Sequence, residues 1–208
     1  MIKLAHKSSI AGKNMRYIIG IDEVGRGPIA GPVAVGAFVF LNDEALRLFK
    51  GVRESKQLSE KQREKWFSII KLAKEEGWVD FAVNFQSSKV IDKKGIVFAI
   101  KTALAKSLWA LTLDIDNTLI LLDGGLRAPA EYINQKTIIK GDEKEMVIAL
   151  ASICAKVLRD RKMIKLGDKY PIYGFANHKG YGTRDHYKAI KKYGLIDEHR
   201  KSFIKNNS

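Results

Sequence analysis

A short apolar run, Tyr17-Ile18-Ile19-Gly20-Ile21, delivers two adjacent carboxylates, Asp22 and Glu23, into a glycine-rich turn, Gly25-Arg26-Gly27. A run of this length, closed by a turn, reads as a buried strand with the acids at its end. Glycine-rich turns after strands commonly cradle phosphate with backbone N–H groups. Two carboxylates at the mouth of such a turn repel a phosphate unless a divalent cation stands between them. The motif therefore points to metal-assisted phosphate chemistry.

The rest of the chain supplies a scaffold for that strand. Residues 17–22, 33–41 and 78–85 are strand candidates, the first two joined by a turn rich in Gly and Pro. Between the second and third, Ser59 with Gln62 three residues later forms a capping-box pattern. Trp66, Phe67, Ile69, Ile70 and Ala73 then make an apolar helical stripe that Gly77 ends. Residues 90–111 read as one long helix, weakened near its start by Gly95. Two short apolar runs follow, 119–122 ending at Asp123, and 137–139 ending at Lys140-Gly141-Asp142. Helices are expected over 143–166 and 183–193, the last stopped by Gly194. Early strands with short connections, then strands alternating with helices, imply an α/β fold: a mixed sheet flanked by helices.

Charge narrows the partners. The 208 residues carry 37 Lys+Arg against 23 Asp+Glu, a net charge of +14, which favours a polyanion such as nucleic acid or an anionic membrane surface. From residue 156 onward, 14 basic residues face 5 acidic ones, so this tail holds +9 of the +14 and suggests a binding face. The one cysteine, Cys154, forms neither an intrachain disulfide nor a cysteine-based zinc site, and fits a reducing compartment. Residues 1–16 lack a sustained apolar core, so no signal peptide is evident, and they read as a flexible lead-in to a single domain over 17–208. The longest apolar stretch, 27–41, contains Pro28 and Pro32 and is shorter than the roughly 20 residues of a membrane-spanning helix.

Three strand ends thus present acids: Asp22 with Glu23, Asp123, and Asp142. Neighbouring strands lie about 4.8 Å apart, so such ends can bring carboxylates to a shared pair of oxygen-seeking ions such as Mg²⁺ or Mn²⁺. Taken singly, Asp123-Gly124-Gly125 and Gly141-Asp142 are ordinary turn sequences; jointly they favour a site. Arg26, a fork donor between two glycines, suits phosphate better than a surface ion pair. Lys56 and Lys156 read equally well as solvated charges. His6, His178, His186 and His199 have no metal-site spacing and read as surface or hydrogen-bonded structural groups.

Several motifs in order carry a resemblance: Gly20-Ile21-Asp22-Glu23-Val24-Gly25-Arg26-Gly27, Glu54-Ser55-Lys56-Gln57-Leu58-Ser59, Leu121-Leu122-Asp123-Gly124, Lys140-Gly141-Asp142, Ala151-Ser152-Ile153-Cys154-Ala155-Lys156, His178-Lys179-Gly180-Tyr181 and His199-Arg200-Lys201-Ser202-Phe203. Together they resemble the ribonuclease HII family over about residues 17–203. The resemblance implies a ribonuclease H-like mixed five-stranded sheet flanked by helices, with a small helical carboxy-terminal region. It implies hydrolysis of the RNA strand of RNA–DNA hybrids and nicking 5′ to ribonucleotides embedded in duplex DNA, leaving 5′-phosphate and 3′-hydroxyl ends.

Carried onto this sequence, the resemblance makes Asp22, Glu23, Asp123 and Asp142 the catalytic ligands of two divalent cations, Mn²⁺ or Mg²⁺. Gly25, Arg26 and Gly27 become the turn that recognises the ribonucleotide 2′-OH and its phosphate, with Tyr181 taking part. Lys56, Ser152 and Lys156 match positions associated with the site or with phosphate contacts. A cytoplasmic monomer that binds RNA–DNA hybrids and ribonucleotide-containing duplex DNA, with no membrane partner, is the expected form. A ribonuclease H confined to longer hybrids and a non-catalytic binding module are the alternatives.

Overall fold

The computed structural model describes residues 9–10, 13–14, 16–52 and 58–204. Two short strands, β1 (Ser9–Ile10) and β2 (Lys13–Asn14), pair antiparallel within the amino-terminal segment. The main sheet has five strands: β3 (Tyr17–Val24), β4 (Val33–Phe40), β5 (Val79–Gln86), β6 (Thr118–Asp123) and β7 (Gln135–Ile138). Their order across the sheet is β5-β4-β3-β6-β7, with β3–β4 and β4–β5 antiparallel and β3–β6 and β6–β7 parallel. The mixed five-stranded sheet flanked by helices is the fold that the resemblance implies.

Helices cover both faces. They are α1 (Ala45–Leu48), α2 (Glu60–Glu75), α3 (Ser88–Lys94), α4 (Ile96–Trp109), α5 (Gly141–Lys144), α6 (Met146–Lys169), α7 (Phe175–His178) and α8 (Arg184–Tyr193). The capping box forms at α2: the Ser59 hydroxyl accepts from Gln62 N at 3.3 Å, and the Gln62 side chain accepts from Ser59 N at 2.8 Å. The single helix expected over 90–111 is two helices. Gly95 adopts φ 83°, ψ 158°, which no helix allows, and its N–H closes α3 on the Ile91 carbonyl. The helix expected over 143–166 is likewise split, because Glu145 is extended at φ −120°, ψ 118° between α5 and α6.

Side chains alternate across the central strands and feed two cores. Leu119 and Leu121 of β6 pack with Phe38, with Phe67 and Ile70 of α2, and with Ile148, Leu150 and Ile153 of α6. Ile120 and Leu122 face the opposite way, joining Ile19, Ile21, Val35 and Ala37 against Ala99, Ile100, Ala103 and Leu104 of α4. Each large aliphatic side chain buried in this way contributes about 1.5–3 kcal/mol.

Two glycines set the distance between sheet and α6. A Cβ on Gly20 would lie 2.2 Å from the Val147 carbonyl, and one on Gly36 would lie 2.4 Å from the Ala151 carbonyl oxygen. The helix backbone therefore rests directly on β3 and β4, a closeness that only glycine allows.

The carboxy-terminal helices make a third core, in which Met163 of α6 packs with Ala30, Tyr173, Phe175 and Ala189. Three histidines lie within it. His178 stacks on His186 with ring centroids 4.4 Å apart, and His186 Nε2 is 3.1 Å from His199 Nε2. These three are hydrogen-bonded structural groups, while His6 lies outside the described residues. Cys154 is fully buried, and burial pushes its thiol pKa up, so it is inert packing. Among the described residues no helix is long and apolar enough to cross a membrane.

Candidate active site

The sheet register alone brings two of the predicted acids together. Ile21 of β3 pairs with Leu122 of the parallel strand β6. One step further, Asp22 and Asp123 stand side by side on strands about 4.8 Å apart. Alternation places both on the α6 face, Asp22 with Gly20 and Asp123 with Leu119 and Leu121.

Asp142 arrives by a different route. Lys140 takes a left-handed conformation, φ 56°, which turns the chain into α5 and buries Asp142 in its first turn. The Asp123 carboxylate fastens this turn, because its Oδ1 accepts from Gly141 N at 2.6 Å. A Cβ at residue 141 would lie 2.6 Å from Ile148 Cδ1 and 3.3 Å from Asp123 Oδ1, so a side chain there would have to displace the Ile148 methyl.

The electrostatics record the convergence. Burial first, and the nearby Asp123, Glu23 and Asp142 carboxylates with it, raise the Asp22 pKa to about 7 against the lowering effect of the Ser152 hydroxyl of α6. Burial also raises Glu23, opposed by Arg26, whose Nη1 is 3.4 Å from Glu23 Oε1. That pair is long and its arginine exposed, so it is weak. Positive charge within the cluster is thus scant. Among the described residues, no three acidic, histidine or cysteine side chains are already drawn into a closed coordination sphere.

The glycine-rich turn leaves β3 immediately beyond the acids. Gly25 has φ 87°, and a Cβ there would lie 2.1 Å from Nε of the buried Arg159. Gly27 is the residue that approaches Tyr181: a Cβ at 27 would meet Tyr181 Cε1 at 4.0 Å. Backbone bonds hold the two segments together, since Ile29 N and Ala30 N both donate to Gly180 O, at 2.9 and 3.2 Å. Tyr181 is half exposed, and its carbonyl lies 2.9 Å from His186 Nδ1.

Ser152 is fully buried beside Asp22, and Lys156 follows it one helical turn later on the same face. Lys56 lies outside the described residues. The sequence reading missed Arg159 and Arg200 beneath the turn, the Gly141 amide that fastens Asp123, and the spacer role of Gly20 and Gly36. The motif His199-Arg200-Lys201-Ser202-Phe203 was the available signal for Arg200, but an arginine in a basic tail reads as solvated charge.

A central strand flanked by antiparallel β4 and parallel β6, with acids at adjacent strand ends, defines a ribonuclease H-like nuclease fold. Residues 19–206 match the family profile of ribonuclease HII. A ribonuclease HII from Caldicellulosiruptor bescii is 42% identical over 201 residues, covering 96% of this chain and 92% of that protein. The ribonuclease HII of Archaeoglobus fulgidus, solved in complex with PCNA, superposes with a TM-score of 0.71 at 25% identity, covering 92% of this chain and 96% of that one. The ribonuclease H2 of Pyrococcus horikoshii gives 0.66 at 30% identity, over 89% and 93%. The chain belongs to the ribonuclease HII family and is a metal-dependent ribonuclease H endonuclease.

Proposed function

We propose that this chain nicks duplex DNA on the 5′ side of an embedded ribonucleotide and cleaves the RNA strand of RNA–DNA hybrids, leaving 5′-phosphate and 3′-hydroxyl ends. The observation that carries the reading is the placement of Asp22 and Asp123 at adjoining strand ends, with the Gly25-Arg26-Gly27 turn and Tyr181 directly beyond them. Acids that would cut a phosphodiester and a turn that would read the sugar beside it leave the same strand.

The donor set suits divalent cations: hard carboxylate oxygens from Asp22, Glu23, Asp123 and Asp142, with Asp22 held far above its usual pKa by burial and by its neighbours' charge. When bound, a pair of such ions lowers the pKa of a water nucleophile and stabilises the departing oxygen. The chain's own residues do the rest. Asp123 is held in one orientation by the Gly141 amide, and the buried Ser152 hydroxyl favours the charged form of Asp22. Backbone N–H groups of the turn offer donors to phosphate and to the 2′-OH, which distinguishes RNA from DNA locally. Tyr181 offers a ring to stack on the sugar or base and a hydroxyl to bond beside it. Arg26 is able to leave its weak Glu23 contact for a phosphate. Lys156 and Lys56 add phosphate-side contacts, whereas the buried Ser152 acts on the site through Asp22.

The same reading takes residues 17–208 as one catalytic domain behind a lead-in of residues 1–16, working as a cytoplasmic monomer in ribonucleotide removal and DNA replication. The decisive experiment is cleavage of duplex DNA containing one ribonucleotide, with Mn²⁺ or Mg²⁺ added. Equal cutting of an all-DNA duplex would refute the 2′-OH reading. Cleavage of long hybrids alone would leave a ribonuclease H without junction recognition.

A further inference from the structure

Arg159 and Arg200 are among the largest fully buried side chains, and neither forms an ion pair among the described residues. Burying a charge without a counter-charge is costly unless hydrogen bonds take the place of water. Arg200 meets this condition at the glycine-rich turn: its Nη2 donates to Gly25 O at 2.7 Å, its Nη1 to Arg26 O at 3.0 Å and its Nε to Gly31 O at 2.9 Å. Its backbone N–H donates to Ile29 O at 2.7 Å. Arg159 lies against Gly25 and meets the condition only in part: its Nε donates to Pro32 O at 2.9 Å, while its Nη2 is buried with no hydrogen-bond partner among the described residues.

The consequence for the turn follows from peptide geometry. In a trans peptide the C=O and the following N–H point in opposite directions, and no cis bond occurs among the described residues. Drawing the Gly25 and Arg26 carbonyls inward onto one guanidinium therefore turns the Arg26 and Gly27 amides outward. Among the described residues neither amide donates to any acceptor. The planar fork is what fixes both carbonyls at once, a geometry lysine lacks.

Arg200 is itself held from outside the turn. The Asp92 carboxylate of α3 accepts from Lys201 N at 2.9 Å, from Ser202 N at 3.0 Å and from Ser202 Oγ at 2.6 Å.

We propose that Arg200 is a positioning residue for ribonucleotide recognition, aiming the Arg26 and Gly27 amides, with Asp92 as its external support. The inference rests on the proposed reading that this turn recognises the 2′-OH and its phosphate.

The test is equilibrium binding without turnover, in chelator, of two otherwise identical duplexes, one all-DNA and one with a single ribonucleotide. Wild type binds the ribonucleotide duplex more tightly. Arg200→Lys, which keeps the charge and loses the fork, is expected to reduce this preference by about tenfold, the scale of one charged hydrogen bond. Its affinity for the all-DNA duplex stays within about twofold, because basic charge is conserved. A merely structural defect would weaken both duplexes alike. Absence of any preference in wild type would overturn the turn reading, and the inference with it. A wild-type preference retained in folded Arg200→Lys would overturn the inference alone. If Arg200→Lys melts below the assay temperature, Asp92→Ala, altered on the exposed side, gives the answer: a partial loss of preference supports the inference, and full retention overturns it.

Discussion

Replacing Gly20 by alanine tests whether contact between helix backbone and sheet is what seats α6 at the acids. The added Cβ would fall 2.2 Å from the carbonyl carbon and oxygen of Val147 and 2.4 Å from Ile148 N. Ordinary carbon contacts lie at about 3.5–4.0 Å, so the first turn of α6 has to retreat by more than about 1 Å. No flexible side chain is available to yield, because every clashing atom is backbone. Overpacking costs about 1–3 kcal/mol in typical cores, and a clash with backbone belongs at the upper end. For a chain of this size each kcal/mol lowers Tm by about 2–4 °C, so Gly20→Ala is expected to melt about 6–12 °C below wild type in calorimetry or circular dichroism. Gly125→Ala is the matched control: a Cβ there meets nothing within 4 Å, and its Tm is expected to stay within about 2 °C. A Gly20→Ala protein that melts with wild type would show that α6 does not rest on β3 in this way.

Other predictions bear on the acids and the charge. Asp123→Asn retains an amide oxygen for the Gly141 N–H, so its melting is expected to match wild type within a few degrees while metal-dependent turnover disappears; unchanged turnover removes Asp123 from the site. Burial and neighbouring carboxylates hold Asp22 at about 7 against an ordinary 3.8, so between those values the folded chain keeps a proton that the unfolded chain has lost. Metal-free stability is therefore expected to fall as pH rises from about 4 to 7. Asp22→Asn relieves the penalty, gaining at most about 4 kcal/mol at pH 8 in chelator; a lower Tm for Asp22→Asn under those conditions would contradict the assigned burial and repulsion. Duplex binding is expected to weaken with salt at a log–log slope of about −0.9 per neutralised phosphate, and a flat response would contradict the role given to the basic carboxy-terminal face.

Much of this scaffold was legible because local chemistry decides it. Ser59 and Gln62 announced the start of α2, Thr183 and Gly194 bracketed α8, and apolar runs ended at Asp22 and Asp123 as read. Other features depend on partners distant in sequence. Gly95 reads as a weak helix residue, yet its positive φ ends one helix and begins another. Glu145 is a good helix former by type, yet it is extended between α5 and α6, where α5 begins at the Gly141 amide fastened to Asp123 from 18 residues earlier in the chain. Arg159 and Arg200 illustrate the same limit. Three backbone carbonyls turn toward Arg200 and one toward Arg159, and no periodicity in the sequence reports where carbonyls will point.

The hydrogen bond from Arg200 to Gly25 spans 175 positions of chain. During synthesis β3 and β4 are available early, whereas the side chain that fixes the turn between them is added long afterwards. Asp123 and Asp142 also follow Asp22 by about a hundred residues. Contacts this distant bear the largest closure entropy and form late. A growing chain thus holds Asp22 and Glu23 for most of its elongation without the arginine that shapes the turn beside them. The turn takes its final shape only once the carboxy-terminal segment has been added.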